Sequence, residues 1–276
     1  MEHSDDEEVW KLRVSYTNTT GRSHSSLASY VLGKHNWLIE RDKGCDKGTP
    51  YSRQLKLTSC GEGEFTCDNG LCVKMEERCD QVPHCKDESD EKGCQLLNLK
   101  KGYNKRIPPI VDSNDPVYVD IRITLLKVVR IVEEEHSIEL QFKIQLEWRD
   151  NRVTYHNLKN KTSLNALTDK DIAVLWLPLV IYTNTDQKQT TRLGEYGNGE
   201  WSTSVTVRRE GRFTRTGLED VDETEVFKGE ENSLIMQQTY THKFQCVYQL
   251  KKYPFDTQVR KHVEAANLSP RCVTLK

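Results

Sequence analysis

Acidic side chains crowded between cysteines form the part of this sequence that is best suited to chemistry. The stretch between Cys79 and Cys94 contains the carboxylates of Asp80, Asp87, Glu88, Asp90 and Glu91. Carboxylates this close repel one another unless a cation lies among them, and calcium takes about six to eight ligands from carboxylate and carbonyl oxygens. Charge alone does not distinguish a calcium site from a solvated acidic surface, so both interpretations remain open at this point.

Closely spaced cysteines enclose this acidic stretch. Six of the nine cysteines lie from Cys60 to Cys94, with the spacing C-x6-C-x4-C-x6-C-x5-C-x8-C. So short a segment cannot bury a sufficient hydrophobic core, and dense disulfides are how small secreted domains compensate. Structural zinc sites favour short knuckles, and only Cys67 and Cys72 form one here. The pattern therefore predicts disulfides and an extracellular location, although spacing alone leaves the pairing open.

Several residues in and between these cysteines match a known extracellular module. They are Phe65, Cys72, the Cys79-Asp80 pair and the run Cys85-Lys86-Asp87-Glu88-Ser89-Asp90-Glu91. On these residues the segment 60–94 resembles an LDL-receptor class A repeat. The resemblance implies three disulfides, which are Cys60–Cys72, Cys67–Cys85 and Cys79–Cys94.

The same resemblance implies a bound calcium ion. Its ligands would be the side chains of Asp80, Asp90 and Glu91 and the backbone carbonyls of Glu77 and Val82. His84 is a departure, because the family usually places another ligand carboxylate at this position. A neutral imidazole is a poor ligand for a hard cation, so a weakened calcium affinity is expected.

Downstream of Cys94 the hydrophobic pattern becomes one that is typical of β-strands. Apolar residues alternate with more polar ones from Val117 to Leu125, and residues 138–148 alternate without a fault. Such alternation indicates strands with one buried face, and the polar residues 133–137 predict a turn that makes the pair antiparallel. Further strands are predicted at 174–182, 202–208, 233–240 and 243–250. The predicted exceptions are a short helix near 96–104 and a turn at 168–173, where Thr168 could cap the start.

Four further motifs are spread between Tyr103 and Asp256. They lie at 103–109, at 146–150 with its W-x-D triplet, at 175–178 followed by 184–185, and at 246–256. Together they resemble the extracellular ligand-binding domain of Cys-loop, or pentameric ligand-gated, ion channels. The fold class that follows is mainly β: a small disulfide-rich calcium-binding module followed by an incomplete immunoglobulin-like β-sandwich.

The channel resemblance implies two sets of functional residues. The signature loop contains Cys246, Tyr253, Pro254 and Asp256, and in that family its tight turn presses against the membrane domain. Aromatic side chains near the family's loops A and D line an agonist pocket between subunits, where cation–π contacts recognise amines. In this chain the ligand pocket is assigned to Phe142, Trp148, Trp176 and Tyr182. The two tryptophans could equally be core or subunit-interface aromatics.

Two positions depart from the channel family. Leu179 stands where the W-x-P motif is usually followed by Asp, and Arg260 stands where a second cysteine should close the signature loop. From residue 261 onward no resemblance is found, and the further strands and four membrane helices of the family do not follow. The expectation is an incomplete ligand-binding domain at 97–259 and a divergent tail at 260–276, in which Cys272 lies.

The first 59 residues are expected to be the C-terminal remnant of an upstream extracellular, lectin-like β domain, with the partner of Cys45 lying upstream. Residues 1–9 are acidic and contain no apolar stretch, so no signal peptide is predicted. The longest weakly charged apolar run, 172–182, is too short to cross a bilayer. N-x-S/T sequons, which are acceptors for N-glycosylation, occur at Asn18, Asn160 and Asn267.

The sequence argues against catalysis and against nucleic-acid binding. No H-E-x-x-H spacing occurs, and the glycine-rich residues 194–199 lack the Lys-Ser/Thr of a phosphate loop. The 40 basic and 42 acidic side chains nearly balance, whereas binding to phosphates usually needs a basic excess. A run of acids is predicted to be a solvated connector, and in a channel vestibule such acids could instead attract cations. They are Glu219, Asp220, Asp222, Glu223 and Glu225, with Glu230 and Glu231 beyond them.

Two functions are predicted from these features. The first is a partial subunit of a ligand-gated ion channel, on the extracellular side of the plasma membrane, carrying a calcium-binding module. Its partners would be other subunits in a pentamer and a small neurotransmitter-like ligand, with membrane contact only through helices further downstream. The alternative is a secreted or cell-surface protein that uses the calcium-loaded module to capture basic partners.

Overall fold

The structure, a computed structural model, forms two compact units. It describes residues 2–4, 9–14, 19–24, 31–41, 50–109, 117–132, 134–180, 204–215, 222–245 and 273–274. Unit 1 comprises Met1–Gln95 together with Thr214–Val226, and unit 2 comprises Leu96–Phe213 together with Phe227–Lys276. Cys45, Tyr182, Cys272 and the signature-loop residues Cys246, Tyr253, Pro254 and Asp256 lie outside the described residues.

Unit 1 begins with an antiparallel sheet in which each strand pairs with the next. Its strands are β1 (Glu2–Ser4), β2 (Val9–Val14), β3 (Thr19–His24), β4 (Gly33–Arg41) and β5 (Tyr51–Leu57). Trp37 and Ile39, two residues apart on β4, are both buried, since alternate residues of a strand point to the same face. This part of the chain is therefore β, as the sequence predicts.

The cysteine-rich segment of unit 1 contains a two-stranded hairpin of β6 (Glu64–Thr66) and β7 (Cys72–Lys74), followed by a single 3₁₀ turn at Ser89–Glu91. Its disulfides are Cys60–Cys72, Cys67–Cys85 and Cys79–Cys94, the pairing that the class A resemblance implies. Its small core consists of Phe65, Cys67, Met75 and Cys85. The disulfides supply much of what so small a core cannot.

Unit 2 is built mainly from two sheets. The strands and the helix are β8 (Leu97–Leu99), β9 (Val117–Val132), β10 (Ser137–Trp148), β11 (Val153–His156), α1 (Asp169–Val174), β12 (Ser204–Val207), β13 (Phe213–Arg215), β14 (Glu225–Lys228), β15 (Leu234–Gln245) and β16 (Val273–Thr274). One sheet has the order β12-β15-β10-β9-β16 and the other the order β13-β14-β11-β8. The end of β13 and the start of β14 fall in the segment 214–226, which is counted with unit 1. The arrangement is sandwich-like, which confirms the predicted mainly β fold class.

The alternation along β10 places its apolar residues in the core. Phe142, Ile144, Leu146 and Trp148 are each at most 4% exposed. Burying a side chain of this size stabilises the fold by about 1.5–3 kcal/mol relative to leaving it in water. β10 pairs antiparallel with β9 on one side and with β15 on the other, so the predicted hairpin at 133–137 is confirmed.

Two β-bulges on β9 extend its core face beyond the region of simple alternation. Leu125 pairs with Phe142, Val128 pairs with Leu140 and Ile131 pairs with Ile138. The register shifts between the first and the second of these pairs, and again between the second and the third. Each shift inserts one residue, so side chains spaced by three remain on one face. Leu125, Val128 and Ile131 thus share the face of the β10 core residues, yet each is 46–57% exposed.

Two element predictions are wrong. Residues 96–104 form no helix: β8 pairs with β11 in the register Leu97↔Tyr155, because Leu97 is buried in the core of unit 2 as a strand residue. Residues 174–180 form no strand, because Pro178 has no amide N–H and the amide of Trp176 donates instead to the hydroxyl of Tyr103 at 2.8 Å.

The predicted helix cap and the predicted strands after residue 233 are found in the structure. Thr168 caps α1, and Asp171 completes a capping box by accepting from the Thr168 amide. The predicted strands 233–240 and 243–250 are one continuous strand through Gln245, since Tyr240, His242 and Phe244 keep the period of two. No helix among the described residues is long and apolar enough to cross a membrane.

Candidate functional site

The acidic loop of the class A segment is held in an unusual backbone conformation. Cys79 and Gln81, on either side of Asp80, have positive φ angles of 61° and 71°. Such angles are costly for residues with a side chain and persist where surrounding contacts enforce them. Here the Glu91 carboxylate does so, by accepting hydrogen bonds from the amides of Asp80 at 2.9 Å and Gln81 at 3.1 Å.

Asp90 is the residue at the centre of this loop. It is 0% exposed, its Oδ2 accepts from the His84 amide at 2.6 Å, and its backbone carbonyl accepts from the Cys79 amide at 3.1 Å. Its Oδ1 is buried and has no hydrogen-bond partner among the described residues. The charge of Arg78 acts on Asp90, but a buried carboxylate oxygen without a hydrogen-bond partner is costly, which makes this oxygen a candidate ligand for a cation.

His84 lies between two of the implied calcium ligands. Its Nδ1 is 3.8 Å from Oδ1 of Asp80 and 3.7 Å from Oδ2 of Asp90. The Val82 amide donates to the same Asp80 oxygen at 3.0 Å, which fixes that carboxylate within the loop. The imidazole thus lies beside the carboxylates, where the class A family usually has a further acid.

The loop fits a calcium ion in its chemistry and in part of its geometry. The oxygen donors match a hard cation, and the orphaned oxygen of Asp90 is available to it. Among the described residues, however, the ligand atoms of Asp80, Asp90 and Glu91 do not all lie within 4.8 Å of one another. The side chain of Glu77 accepts a hydrogen bond from the Lys74 amide. This bond does not involve the Glu77 backbone carbonyl, which is the atom implied as a calcium ligand. Binding would therefore bring the ligand oxygens of Asp80, Asp90 and Glu91 closer together.

Two other groups of possible metal ligands are excluded by their covalent state. One combines Cys60 and Cys72 with Glu64, and the other combines Cys67 and Cys85 with Asp87. The cysteines of each group are joined in a disulfide, and metal ligation requires the free thiolate. Asp87 instead accepts from the amide and hydroxyl of Ser89. Although partial burial acts to raise it, these hydrogen bonds hold the pKa of Asp87 below its usual value.

In unit 2, the W-x-D triplet anchors a cluster of aromatic and charged residues. Trp148 is buried and meets Trp176 edge-on, with ring centroids 6.3 Å apart. Asp150, 0% exposed, accepts two hydrogen bonds from the Arg152 guanidinium, at 2.7 and 2.8 Å, and one from the Tyr103 hydroxyl at 3.2 Å. Burial raises the pKa of Tyr103 to about 12, so this hydroxyl remains a donor.

The structure brings together only two of the residues assigned to the ligand pocket. Trp148 and Trp176 are in contact, whereas Phe142 lies six residues from Trp148 along β10, roughly 20 Å away at about 3.3 Å per residue. Tyr182 lies outside the described residues. The four-residue pocket therefore stays a prediction, and the two tryptophans belong to the core cluster of unit 2.

Phe142 belongs instead to an aromatic cluster between β10 and β15. Its ring centroid lies 6.0 Å from Tyr240, 5.8 Å from His242 and 5.9 Å from Phe244. Burial lowers the pKa of His242 to about 4, so the imidazole is neutral at physiological pH. The period of two along 240–244 is the signal by which the sequence could have revealed this cluster.

Comparison with known families confirms both resemblances. Residues 58–94 match the family "Low-density lipoprotein receptor domain class A", and residues 94–216 match the family "Neurotransmitter-gated ion-channel ligand binding domain". The channel match ends at residue 216, so residues 217–259 of the predicted ligand-binding domain lie beyond it.

Individual relatives fall into the same two groups. The chain is 28% identical over 98 residues to acetylcholine receptor subunit alpha-type acr-15 of Caenorhabditis elegans, which covers 34% of this chain and 20% of that protein. It is 24% identical over 126 residues to acetylcholine receptor subunit delta of Gallus gallus, covering 45% and 21%. It is 30% identical over 98 residues to a vitellogenin receptor of Solenopsis invicta, covering 32% and 6%. The chain thus spans about a fifth or less of each of these relatives.

Proposed function

We propose that this chain is part of the extracellular region of a neurotransmitter-gated ion-channel subunit that carries a calcium-binding class A module. The observation that carries the proposal is the direct succession, in one chain, of the class A match at 58–94 and the channel ligand-binding match at 94–216. The two-sheet architecture of unit 2 supports it. Three disulfides support an extracellular location.

In this proposal unit 2 contributes to a ligand site shared with a neighbouring subunit. The similarity to two acetylcholine receptor subunits supports assembly with other subunits, as in a pentamer, and a small amine-like ligand. Trp148 and Trp176 are the assigned pocket residues that meet in space, and Trp176 is the one of the two that is only partly buried. Ligand binding between subunits would open a pore in the intact receptor.

Calcium would act on the acidic loop of the module. The proposed ligands are the side chains of Asp80, Asp90 and Glu91 and the carbonyls of Glu77 and Val82. Modules of this class generally bind calcium, and the orphaned, fully buried oxygen of Asp90 supports a cation at this place. The bound ion would neutralise the crowded carboxylates and hold the loop in one conformation.

The ligand-binding proposal is tested by isothermal titration calorimetry. The full chain is secreted behind a cleavable leader and titrated with acetylcholine and other neurotransmitter amines. We expect saturable binding of at least one amine and a loss of affinity of about tenfold or more in Trp176→Ala, because a cation–π contact in a desolvated site contributes about 2 kcal/mol. Binding that is absent for every amine, or unchanged by Trp176→Ala, would contradict the proposed ligand site.

The alternative is a secreted or cell-surface protein whose module captures basic partners. The similarity to the vitellogenin receptor and the acidic loop favour it. It is tested by binding of a fluorescent oligolysine peptide to the full chain. Calcium-dependent binding that Asp90→Asn abolishes would support this alternative, and binding that is the same in calcium and in chelator would exclude it.

A further inference from the structure

Two carboxylates of the segment 214–226 make ion pairs within unit 1. This segment belongs to unit 1 although the residues on either side of it belong to unit 2. Asp222 lies 2.6 Å from the Lys56 ammonium and 3.1 Å from the Lys34 ammonium. Glu223 lies 3.4 Å from the Lys56 ammonium and accepts a hydrogen bond from the Thr66 hydroxyl at 2.8 Å. The prediction of a solvated connector is therefore wrong for Asp222 and Glu223, because their partners lie more than 150 positions away in sequence.

Phe65 is the centre of the surface that receives these carboxylates. The Lys56 ammonium lies 4.3 Å from the centre of its ring, and the Arg78 guanidinium lies 4.0 Å from it. The Lys56 side chain is only 3% exposed and also donates to the Thr66 carbonyl at 2.8 Å. Both cations are attracted by the ring face, but their burial removes water that would otherwise solvate the charges.

Arg78 provides an independent sign that this surface takes an anion. It is 3% exposed, and its Nε and Nη1 have no hydrogen-bond partner among the described residues. Burial lowers the pKa of Arg78, and four nearby carboxylates oppose that effect, in the order Asp222, Glu223, Asp68 and Asp90. A buried guanidinium with unused donors is costly unless negative charge lies nearby.

The backbone fixes the third cation against the class A segment. The Lys34 amide donates to the Asp68 carbonyl at 2.8 Å, and Gly33 has a φ angle of +98° at the closest approach. A Cβ atom on Gly33 would lie 2.2 Å from the same carbonyl oxygen, so only glycine fits here. The Lys34 ammonium lies 3.9 Å from the Asp68 carboxylate and only 3.1 Å from the Asp222 carboxylate, so the contact to Asp222 is the shorter one.

We propose that Lys34, Lys56 and Arg78 around Phe65 form a carboxylate-binding site, here called the basic site. The chain's own Asp222 and Glu223 occupy it as an intramolecular ligand. The site has the opposite charge to the acidic loop, with which Arg78 still interacts through the charge of Asp90. Unit 1 would thus present an anion-binding surface as well as the proposed cation site. An acidic partner reaches the basic site only when Asp222 and Glu223 leave it. The proposal does not depend on the channel function.

The occupancy of the site is tested by hydrogen–deuterium exchange of the full chain. Lys56→Met replaces the ammonium that lies over Phe65 by an uncharged side chain of similar length, and the double variant Asp222→Asn/Glu223→Gln removes the charges of the ligand. We expect amide exchange in residues 222–226 to be about tenfold faster in both, since Lys56→Met removes the ammonium that both carboxylates contact and the double variant leaves the buried Lys56 charge without its partners. Glu230→Gln is the matched control and should leave exchange unchanged, because the ion pair that Glu230 makes within the described part of the chain is with an exposed lysine, Lys228, at 3.6 Å.

Binding in trans separates a true site from a purely structural contact. A fluorescent peptide with the sequence of residues 217–226 should bind Asp222→Asn/Glu223→Gln, whose basic site is free, and should bind wild type and Glu230→Gln at least tenfold more weakly. Adding Lys56→Met to the double variant should abolish the binding. Exchange that is unchanged in Lys56→Met would overturn the proposal. So would peptide binding that is absent from the double variant or does not depend on Lys56.

Discussion

Replacing Asp90 by asparagine should remove the calcium response of the acidic loop without unfolding the loop. Asparagine has the same shape, can still accept from the His84 amide at the Oδ2 position, and carries no charge. In chelator, the loss of the charge-assisted bond is opposed by the relief of a buried, unpartnered carboxylate oxygen. Wild type and Asp90→Asn should therefore differ by less than about 1 kcal/mol in the free energy of opening this loop.

Calcium should separate the two proteins. At a calcium concentration of about 100 times Kd, binding to the folded loop alone stabilises it by about 2.7 kcal/mol, equivalent to a hundredfold smaller population of the open loop and a hundredfold slower amide exchange. The assay is hydrogen–deuterium exchange of the Asp80 and Gln81 amides, which donate to Glu91 in the folded loop. Wild type should show this protection in calcium, and Asp90→Asn should show almost none.

The matched control is Asp87→Asn. Asp87 lies in the same loop and accepts from Ser89, but it is not among the proposed calcium ligands. The control should lose some stability in both conditions and keep the full calcium response. Equal calcium-dependent protection in wild type and Asp90→Asn would refute the assignment of Asp90 as a ligand, and so would a wild type that shows none.

Four further predictions follow from individual side chains. His84→Asp should bind calcium about tenfold or more tightly than wild type in a calorimetric titration, because a carboxylate replaces an imidazole beside Asp80 and Asp90; an unchanged Kd would contradict this. The folded protein has the pKa of His242 lowered to about 4, so the unfolded chain binds this proton at a higher pH, and the free energy of unfolding should fall as pH drops from about 6.5 to 4. His242→Phe should lose this pH dependence in denaturant titrations, and an equal pH dependence in wild type and variant would contradict the prediction. Asp150→Asn should lower the free energy of unfolding by about 3 kcal/mol, measured the same way, because it leaves the Arg152 guanidinium without its charge partner; a loss under 1 kcal/mol would be inconsistent with this pair. Asn160 is exposed in a loop and begins an N-x-S/T sequon, so the chain secreted from mammalian cells should carry a glycan there by mass spectrometry; Thr162→Ala should remove it and Thr162→Ser should retain it, and an unmodified wild-type Asn160 would count against this prediction.

Local patterns in the sequence predict those parts of the fold that local forces determine. The faultless alternation at 138–148 becomes β10, because a strand that buries one face selects apolar residues with a period of two. Thr168 is recognised as a cap because a cap depends on residues three positions apart. The cysteine spacing indicates the disulfide-rich segment, but the pairing itself came from the class A resemblance.

Features that depend on distant residues could not be read from the sequence. The bulges after Leu125 appear in the sequence only as a change of apolar spacing from two to three, which a period-two search treats as the end of the strand. Leu97 forms a strand because β11, more than 50 residues away, offers it a partner. Asp222 resembles any solvated acid until the fold brings Lys34 and Lys56 to it.

The ligand pocket shows the same limit. Trp148 and Trp176 meet because the W-x-D strand end and the segment after α1 converge on Tyr103. Phe142 shares the buried face of β10 with Trp148, and alternation alone does not say that six residues of strand separate them by roughly 20 Å. Resemblance to a family assigns residues to a pocket, but only the register decides which of them can contact one ligand.

Native mass spectrometry of the secreted full chain, with and without a neurotransmitter amine, tests the central claim most directly. An extracellular part of a channel subunit should assemble with copies of itself or with a co-expressed acetylcholine receptor subunit, and the assembly should retain the bound amine. A chain that remains a monomer at every concentration, with no amine adduct alone or beside a receptor subunit, would contradict the proposed channel function.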